Sequence, residues 1–483
     1  MKKKNLYLLY EIADREFESK SLLAYIAAKN GWRAYLLDRN IFINNIKKFN
    51  PGVVVYKSLV PSDCKLIRLI KNNNHQFFCI DEEGILQWPD EYKLKIRYGD
   101  ESLRLCDSLF LLNKKQEMLL KNNYNFKNNN KLYTLGYPRI EYLELLKKYK
   151  EQNFIGNEIK KKFGKFVFLP TSFPSNHLMG LKGFLRSFEE AIGKRPNRKQ
   201  IIFFEGIYKN IETMEEKYNE LFHYLFKSLE NINFVIKPHP TEDFETWKKK
   251  YKKYNNVFID SDYPSIYYLT SSMATIQYGS TIAVESYILG DRCIEYQPKI
   301  DKKLKKFELR DHHKFIKIFK DKKKLKDFLI EKLKSNDHKD VLDKKSILIN
   351  SKYLKLGNYP AKKIYKVLNL LKNIPKTESI NFNISFFINK HYFYKLILWI
   401  ISRTYFVYLL PQKMLKGKFK ILKREFRIFH ANYYNYRSRK DRLVSENRLN
   451  SIKRIINKEL NNNKKIDVII KRLHRNNFIF TKQ

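Results

Sequence analysis

Acidic residues are scarce in this 483-residue chain: 50 Asp+Glu stand against 96 Lys+Arg, a formal net charge of +46. Cysteine is scarcer still. Cys64, Cys79, Cys106 and Cys293 lie far apart with no CxxC pair, which excludes a disulfide frame or cysteine zinc site and reads as reduced thiols in a cytosolic chain. No GxxxxGK[ST] loop, zinc-ligand spacing or aromatic-basic RNP-like strand is present. The basicity therefore comes without a nucleic-acid reader, and no nucleic acid is expected as partner. The apolar run after Lys2-Lys3-Lys4 stops within six residues at Glu11, Asp14 and Glu16. That is too short and too acidic for a secretory core, and it reads as a first strand.

Apolar material is plentiful, at 43% hydrophobic and 15% aromatic residues, so disordered and collagen-like chains are excluded. The length predicts two folded units plus an appendage. Lys greatly outnumbers Arg, and runs such as Asn72-Asn73-Asn74 and Asn128-Asn129-Asn130 indicate a residue bias. Part of the charge follows from that bias alone.

Short apolar runs alternate with helical patterns. Strands are expected at 5–10, 33–37, 53–55, 76–80, 107–112 and 131–135, with helices at 19–30 and 63–72. After a polar stretch the pattern restarts, with strands expected at 166–169, 200–204, 233–236, 257–259, 274–277 and 292–296. The fold class is α/β: two Rossmann-like lobes and a C-terminal basic helical extension. The boundaries are an N-terminal acceptor lobe 1–146, a linker 147–165, a nucleotide-binding lobe 166–375 with crossover helices, and the extension 376–483. Ligands of such sheets bind beyond the carboxyl ends of the strands, so residues just after strands are the candidates.

Three segments stand at such ends. Asp81-Glu82-Glu83-Gly84 follows the strand 76–80; adjacent carboxylates repel, which raises the pKa of at least one and suits a general base. An acidic turn closed by Gly84 is the plainer reading. In Lys237-Pro238-His239-Pro240 two prolines fix the backbone around a histidine, and His239 with Lys237 could stabilise charge on a leaving phosphate. Gly279-Ser280-Thr281 opens a helix whose N-terminal N–H groups suit phosphate, with Glu285 a turn later for ribose hydroxyls. Alternatively, Ser280 or Thr281 simply caps the helix, with Glu285 near a capping-box position.

In that order, the acidic-acidic-Gly, His-Pro and Gly-Ser-Thr segments resemble the bacterial capsule and surface-polysaccharide glycosyltransferases of the two-lobed GT-B type. Glu11-Ile12-Ala13-Asp14-Arg15-Glu16-Phe17-Glu18-Ser19-Lys20 and Leu135-Gly136-Tyr137-Pro138-Arg139 look closer still to surface carbohydrate biosynthesis proteins. The resemblance covers about residues 5–330. It implies metal-independent transfer from a nucleotide-sugar, with Glu82 or Glu83 as base and His239 on the donor phosphate. Ser280 and Thr281 would be phosphate ligands, and Lys237, Gly279 and Glu285 would line the nucleotide site. It implies no cofactor beyond the donor, with CMP among the candidate nucleotides. CDP-polyol phosphotransfer and nucleotide-sugar 2-epimerisation are alternatives on the same fold.

Between residues 376 and 483 stand 25 Lys+Arg against 6 Asp+Glu, a net of +19. Within it, residues 392–411 are aromatic and aliphatic, with His391, Lys395, Ser402 and Arg403 on one narrow helical face. That pattern predicts a helix lying in a membrane interface, followed by a cluster for anionic lipid heads. The expected place is peripheral, on the cytoplasmic face of the inner membrane, acting on a lipid-linked or oligosaccharide acceptor.

Overall fold

The computed structural model describes residues 1–81, 91–124, 132–173, 180–240, 242–290, 293–305, 307, 313–334, 353–371, 373–380, 443–461, 468–474 and 477–482. The first lobe carries strands β1 (Asn5–Tyr10), β2 (Arg33–Asp38), β3 (Val53–Tyr56), β4 (Gln76–Ile80), β5 (Ser108–Leu111) and β6 (Leu132–Thr134). The second carries β7 (Phe166–Pro170), β8 (Asn233–Lys237), β9 (Val257–Ile259), β10 (Ala274–Thr275), β11 (Cys293–Tyr296) and β12 (Ile316–Phe319). Near the chain end come β13 (Val468–His474) and β14 (Asn477–Lys482).

In the first lobe the parallel strands run β2-β1-β3-β4-β5-β6. Strands β1 and β3 are buried along their whole length, as a sheet covered on both faces requires. In the second lobe the parallel order is β9-β8-β7-β10, and a bridge between Ile276 and Ile294 continues it to β11 and β12. Strand order therefore reverses between β1 and β3 in one lobe and between β7 and β10 in the other. The crevices for ligands lie at those two points. The two-lobed, Rossmann-like α/β architecture expected from the sequence is present.

Three local expectations differ. Residues 200–204 are not a strand but lie in the helix Arg198–Ser228. Asn197 starts it with a reciprocal capping box: its Oδ1 accepts from the Gln200 N–H at 2.9 Å, and Gln200 Oε1 accepts from the Asn197 N–H at 2.9 Å. The stretch 147–165 is no free linker. It holds the helix Phe154–Phe163, which buries Ile155, Ile159 and Phe163 in a core shared by both lobes.

The third difference is the chain end. Residues 381–442, which contain the expected interfacial helix and most of the basic cluster, lie outside the described residues. Beyond them the chain is not a helical extension. The helix Glu446–Asn461 buries Leu449, Ile452, Ile455 and Ile456. Strands β13 and β14 then form an antiparallel hairpin, and β14 pairs with β2 through Phe478–Leu36, Ile479–Tyr35 and Phe480–Ala34. The hairpin covers an open edge of the first sheet, with Phe478 and Phe480 fully buried. The described residues of 443–482 thus pack onto the first lobe. Among the described residues, no helix is long and apolar enough to cross a membrane.

Candidate functional site

Both reversal points open into one cleft of about 800 Å³ between the lobes, within the size range of small-molecule sites. The first lobe contributes Glu11 after β1, Lys57 and Ser58 after β3, Asp81 after β4, and Arg39, Asp63 and Arg97 from the crossovers. The second contributes Ser172 after β7, Tyr278 and Gly279 after β10, and an apolar wall including Phe184, Phe188 and Phe307.

The floor in the first lobe is a network of alternating charges. Glu11 Oε1 accepts from Arg39 Nη1 at 2.5 Å and from the Tyr56 hydroxyl at 2.6 Å, and Lys57 Nζ lies 3.1 Å from Glu11 Oε2. Beneath it Glu16 Oε1 accepts the Glu11 and Ile12 N–H groups, each at 3.1 Å, and its Oε2 pairs with Lys20. Burial works against the Glu16 charge, yet Lys20 and Lys57 outweigh it and hold the carboxyl down at about 2. The acidic run that begins at Glu11 is thus a rigid support for the cleft floor. Burial raises the Asp63 carboxyl above the usual range, restrained by Ser58 and Arg39.

Asp81 is fully buried, bonded to Arg97 Nε at 2.8 Å, to the Tyr98 hydroxyl and to Gln116 Nε2 at 3.3 Å. Its charge is consumed in holding the end of β4. Glu82 and Glu83, the candidate bases that follow it, lie outside the described residues.

In the second lobe, the His-Pro segment is shaped by an acid that the sequence reading passed over. The fully buried Glu242 accepts from the Phe173 N–H at 2.5 Å, Trp247 Nε1 at 3.0 Å, the His239 N–H at 3.1 Å and the Thr171 hydroxyl. It returns its own N–H to the His239 carbonyl at 2.9 Å. The loop after β8 is thereby tied to the end of β7, with His239 half-buried at the sheet's carboxyl end.

Glu295 does the same for the Gly-Ser-Thr turn. It is fully buried in β11, where it accepts from the Gly279 N–H at 3.2 Å and from Gln277 Nε2 at 3.0 Å. Gln277 in turn accepts the Ser280 N–H at 2.8 Å. Gly279 sits at φ +58°, and a Cβ placed there would meet nothing within 4 Å, so the turn leaves open room beside it. Ser280 Oγ accepts from the Ile282 N–H at 3.3 Å and Thr281 is the N-cap of the helix Ile282–Leu289. Since β8, β7 and β10 are consecutive neighbours, the His239 loop and the Gly279 turn sit two strand spacings apart, on the order of 10 Å.

Of the expected second-lobe residues only Gly279 lines the cleft itself, and two are committed elsewhere. Lys237 Nζ donates to the Tyr263 carbonyl at 2.7 Å and lies 5.5 Å from the centre of the Tyr268 ring. Glu285, expected at ribose hydroxyls, is enclosed and paired with Arg139 of the helix Pro138–Lys148. Arg139 also donates to the Arg15 carbonyl at 2.7 Å, so this pair joins the lobes. Glu295 was visible in the sequence as an acid inside an apolar strand, which is costly unless partnered. Arg39 and Asp63 carried no such signal. Among the described residues, no group of three His, Cys, Asp or Glu could hold a metal ion.

No protein-family model and no curated protein matches the chain. Among solved structures, it is similar to the UDP-GlcNAc 2-epimerase of Methanocaldococcus jannaschii in complex with UDP-GlcNAc and UDP, at 12% identity over 76% of this chain and 99% of that one, TM-score 0.42. A putative UDP-N-acetylglucosamine 2-epimerase from Listeria monocytogenes gives 12% identity over 76% and 96%, TM-score 0.43. The wall teichoic acid polymerase TagF gives 12% over 76% and 88%, TM-score 0.44. Superpositions this loose carry no weight as to substrate or chemistry.

Proposed function

We propose that this chain is a nucleotide-sugar-dependent glycosyltransferase of bacterial surface polysaccharide biosynthesis. One observation supports the reading above others: the reversal points of both lobes open into a single cleft lined by Gly279, with the His-Pro loop two strands away at the same end of that lobe's sheet. The donor's phosphates lie in the open room beside Gly279 and meet the hydroxyls of Ser280 and Thr281, since the Gly279 and Ser280 N–H groups are already bonded to Glu295 and Gln277. The acceptor hydroxyl loses its proton to Glu82 or Glu83, and its oxygen bonds to the anomeric carbon. The bond from that carbon to the phosphate oxygen breaks, and His239 donates a hydrogen bond to the charge left there.

The test is a thermal shift with UDP, CDP, CMP and GDP. A bound nucleotide at a hundredfold excess over its Kd adds about 2.7 kcal/mol of stability, so one of the four should raise the midpoint by several degrees. No rise with any of them refutes the reading. A rise with CDP alone, followed by release of CMP on turnover, favours polyol phosphate transfer instead.

Attachment to an anionic membrane through residues 381–442 completes the proposal. Cutting the chain at 376 would also remove a helix and a hairpin of the first lobe, so charge substitution is the cleaner experiment. Replacing Lys413, Lys416, Lys418 and Lys420 by Gln should greatly reduce sedimentation with phosphatidylserine vesicles at moderate salt. Unchanged sedimentation rules out this cluster as the anchor.

A further inference from the structure

Resting on the glycosyl-transfer reading, we propose that Asp63 and Arg39 form a sugar-binding subsite for the acceptor: one hydroxyl donates to Asp63 Oδ2 and an oxygen of the same ring accepts from Arg39 Nε. Both residues line the cleft. Asp63 keeps only 6% of its side chain exposed, and among the described residues its Oδ2 has no hydrogen-bond partner. Arg39 Nε is likewise buried without one. Most buried polar atoms are paired, so an unpaired acceptor and donor on adjacent side chains mark a place that a ligand completes. The two side chains are held close, with Arg39 Nη2 3.9 Å from Asp63 Oδ1. Arg39 is oriented by the bonds of its Nη1 to Glu11 and Tyr56, which leave the buried Nε uncommitted.

The surroundings specify the ligand class. The helix Gly180–Ile192 of the second lobe lies against Pro61–Asp63, and its Phe184 and Phe188 line the same cleft. An apolar aromatic wall beside a fixed acceptor and donor suits a ring with an apolar C–H face and hydroxyls at its edge. That ring is a pyranose. A nucleoside phosphate would need anion ligands instead, and the groups facing Asp63 are the cation Arg39, the neutral Ser58 and the Glu11–Lys57 pair, whose charges offset each other.

The experiment is saturation-transfer NMR on the full chain with the methyl glycosides of glucose, galactose and N-acetylglucosamine. Each is run without nucleotide and with UDP, CDP, CMP or GDP. Wild type should bind at least one glycoside. Asp63→Ala and Arg39→Gln should each weaken it about tenfold to a hundredfold, the usual range for a hydrogen bond to a charged group. The near-isosteric Asp63→Asn should weaken it less and guards against misfolding of the alanine variant. All variants should keep the wild-type nucleotide-induced thermal shift. Glycoside binding unaltered by these substitutions, or no glycoside bound by wild type under any condition, overturns the subsite. Asp63-dependent glycoside binding without any nucleotide shift keeps the subsite and removes glycosyl transfer.

Discussion

His239→Ala should lower turnover by about 10²–10³-fold while the nucleotide-induced thermal shift stays at its wild-type size. The expectation follows from how the loop is made. Prolines at 238 and 240 fix the backbone on either side of the imidazole, and the loop N–H is tied to Glu242 and Thr171. A donor held in place before reaction loses nothing to reorganisation when charge appears on the leaving phosphate. Such a group acts on the transition state more than on the bound donor, so kcat should fall and nucleotide affinity should not. Glu242→Ala separates positioning from chemistry. It removes the shared buried acceptor of the Phe173 and His239 N–H groups, the Trp247 indole N–H and the Thr171 hydroxyl, at about 1–3 kcal/mol for each buried bond lost without replacement; the His239 N–H keeps its bond to Thr171. That variant should lose both activity and thermal stability, whereas His239→Ala loses activity alone. Near-normal turnover in His239→Ala would sink the assignment.

Much of this was readable from residues, and the failures have physical causes. Val53–Tyr56, after Pro51-Gly52, and Phe166–Pro170, after Gly164, are β-branched or aromatic runs beside turn residues, which favours strands buried on both faces of a sheet. Residues 200–204 form an apolar run too short to fix a period; the deciding signal was Asn197 three residues before Gln200. The hairpin at the chain end was illegible because its partner, β2, lies more than four hundred residues earlier. Edge pairing leaves no local trace of which edge is used. At the site, the strand-end segments were visible because proline, glycine and adjacent acids are locally unusual. Their supports were not singled out: Glu242 follows the prolines as an ordinary loop acid, and Glu295, though an acid inside an apolar strand, shows its partners only once β10 and β11 are adjacent. Arg39 and Asp63 come from separate crossovers, so no sequence window contains both.

Replacing Arg448 by Ala should cost about 3–5 kcal/mol of stability, the effect of leaving a buried charge without its partner. Arg448 lies in the helix Glu446–Asn461 and keeps 4% of its side chain exposed. It donates to Glu18 at 2.7 and 3.0 Å, to Asp14 at 2.9 Å and to the Ala13 carbonyl at 2.8 Å. Its guanidinium carbon lies 5.6 Å from the centre of the Phe17 ring. Burial disfavours the cation, but Glu18 and Asp14 outweigh that cost and hold its pKa above the ordinary value. Glu18 also accepts from the Tyr267 hydroxyl of the second lobe at 3.1 Å. One network therefore joins the chain end, the helix Ala13–Lys29 and the other lobe. Whole domains are stable by only about 5–15 kcal/mol, so the loss should be plain as a lower urea midpoint. Amide exchange should quicken across the helix Glu446–Asn461, whereas the hairpin keeps its own pairing with β2. Adding Glu18→Gln to Arg448→Met should recover part of the loss, because removing both charges spares the desolvation of the one left behind. Arg448→Ala within 0.5 kcal/mol of wild type (roughly the effect of an ordinary surface change) would show that the chain end is not anchored there.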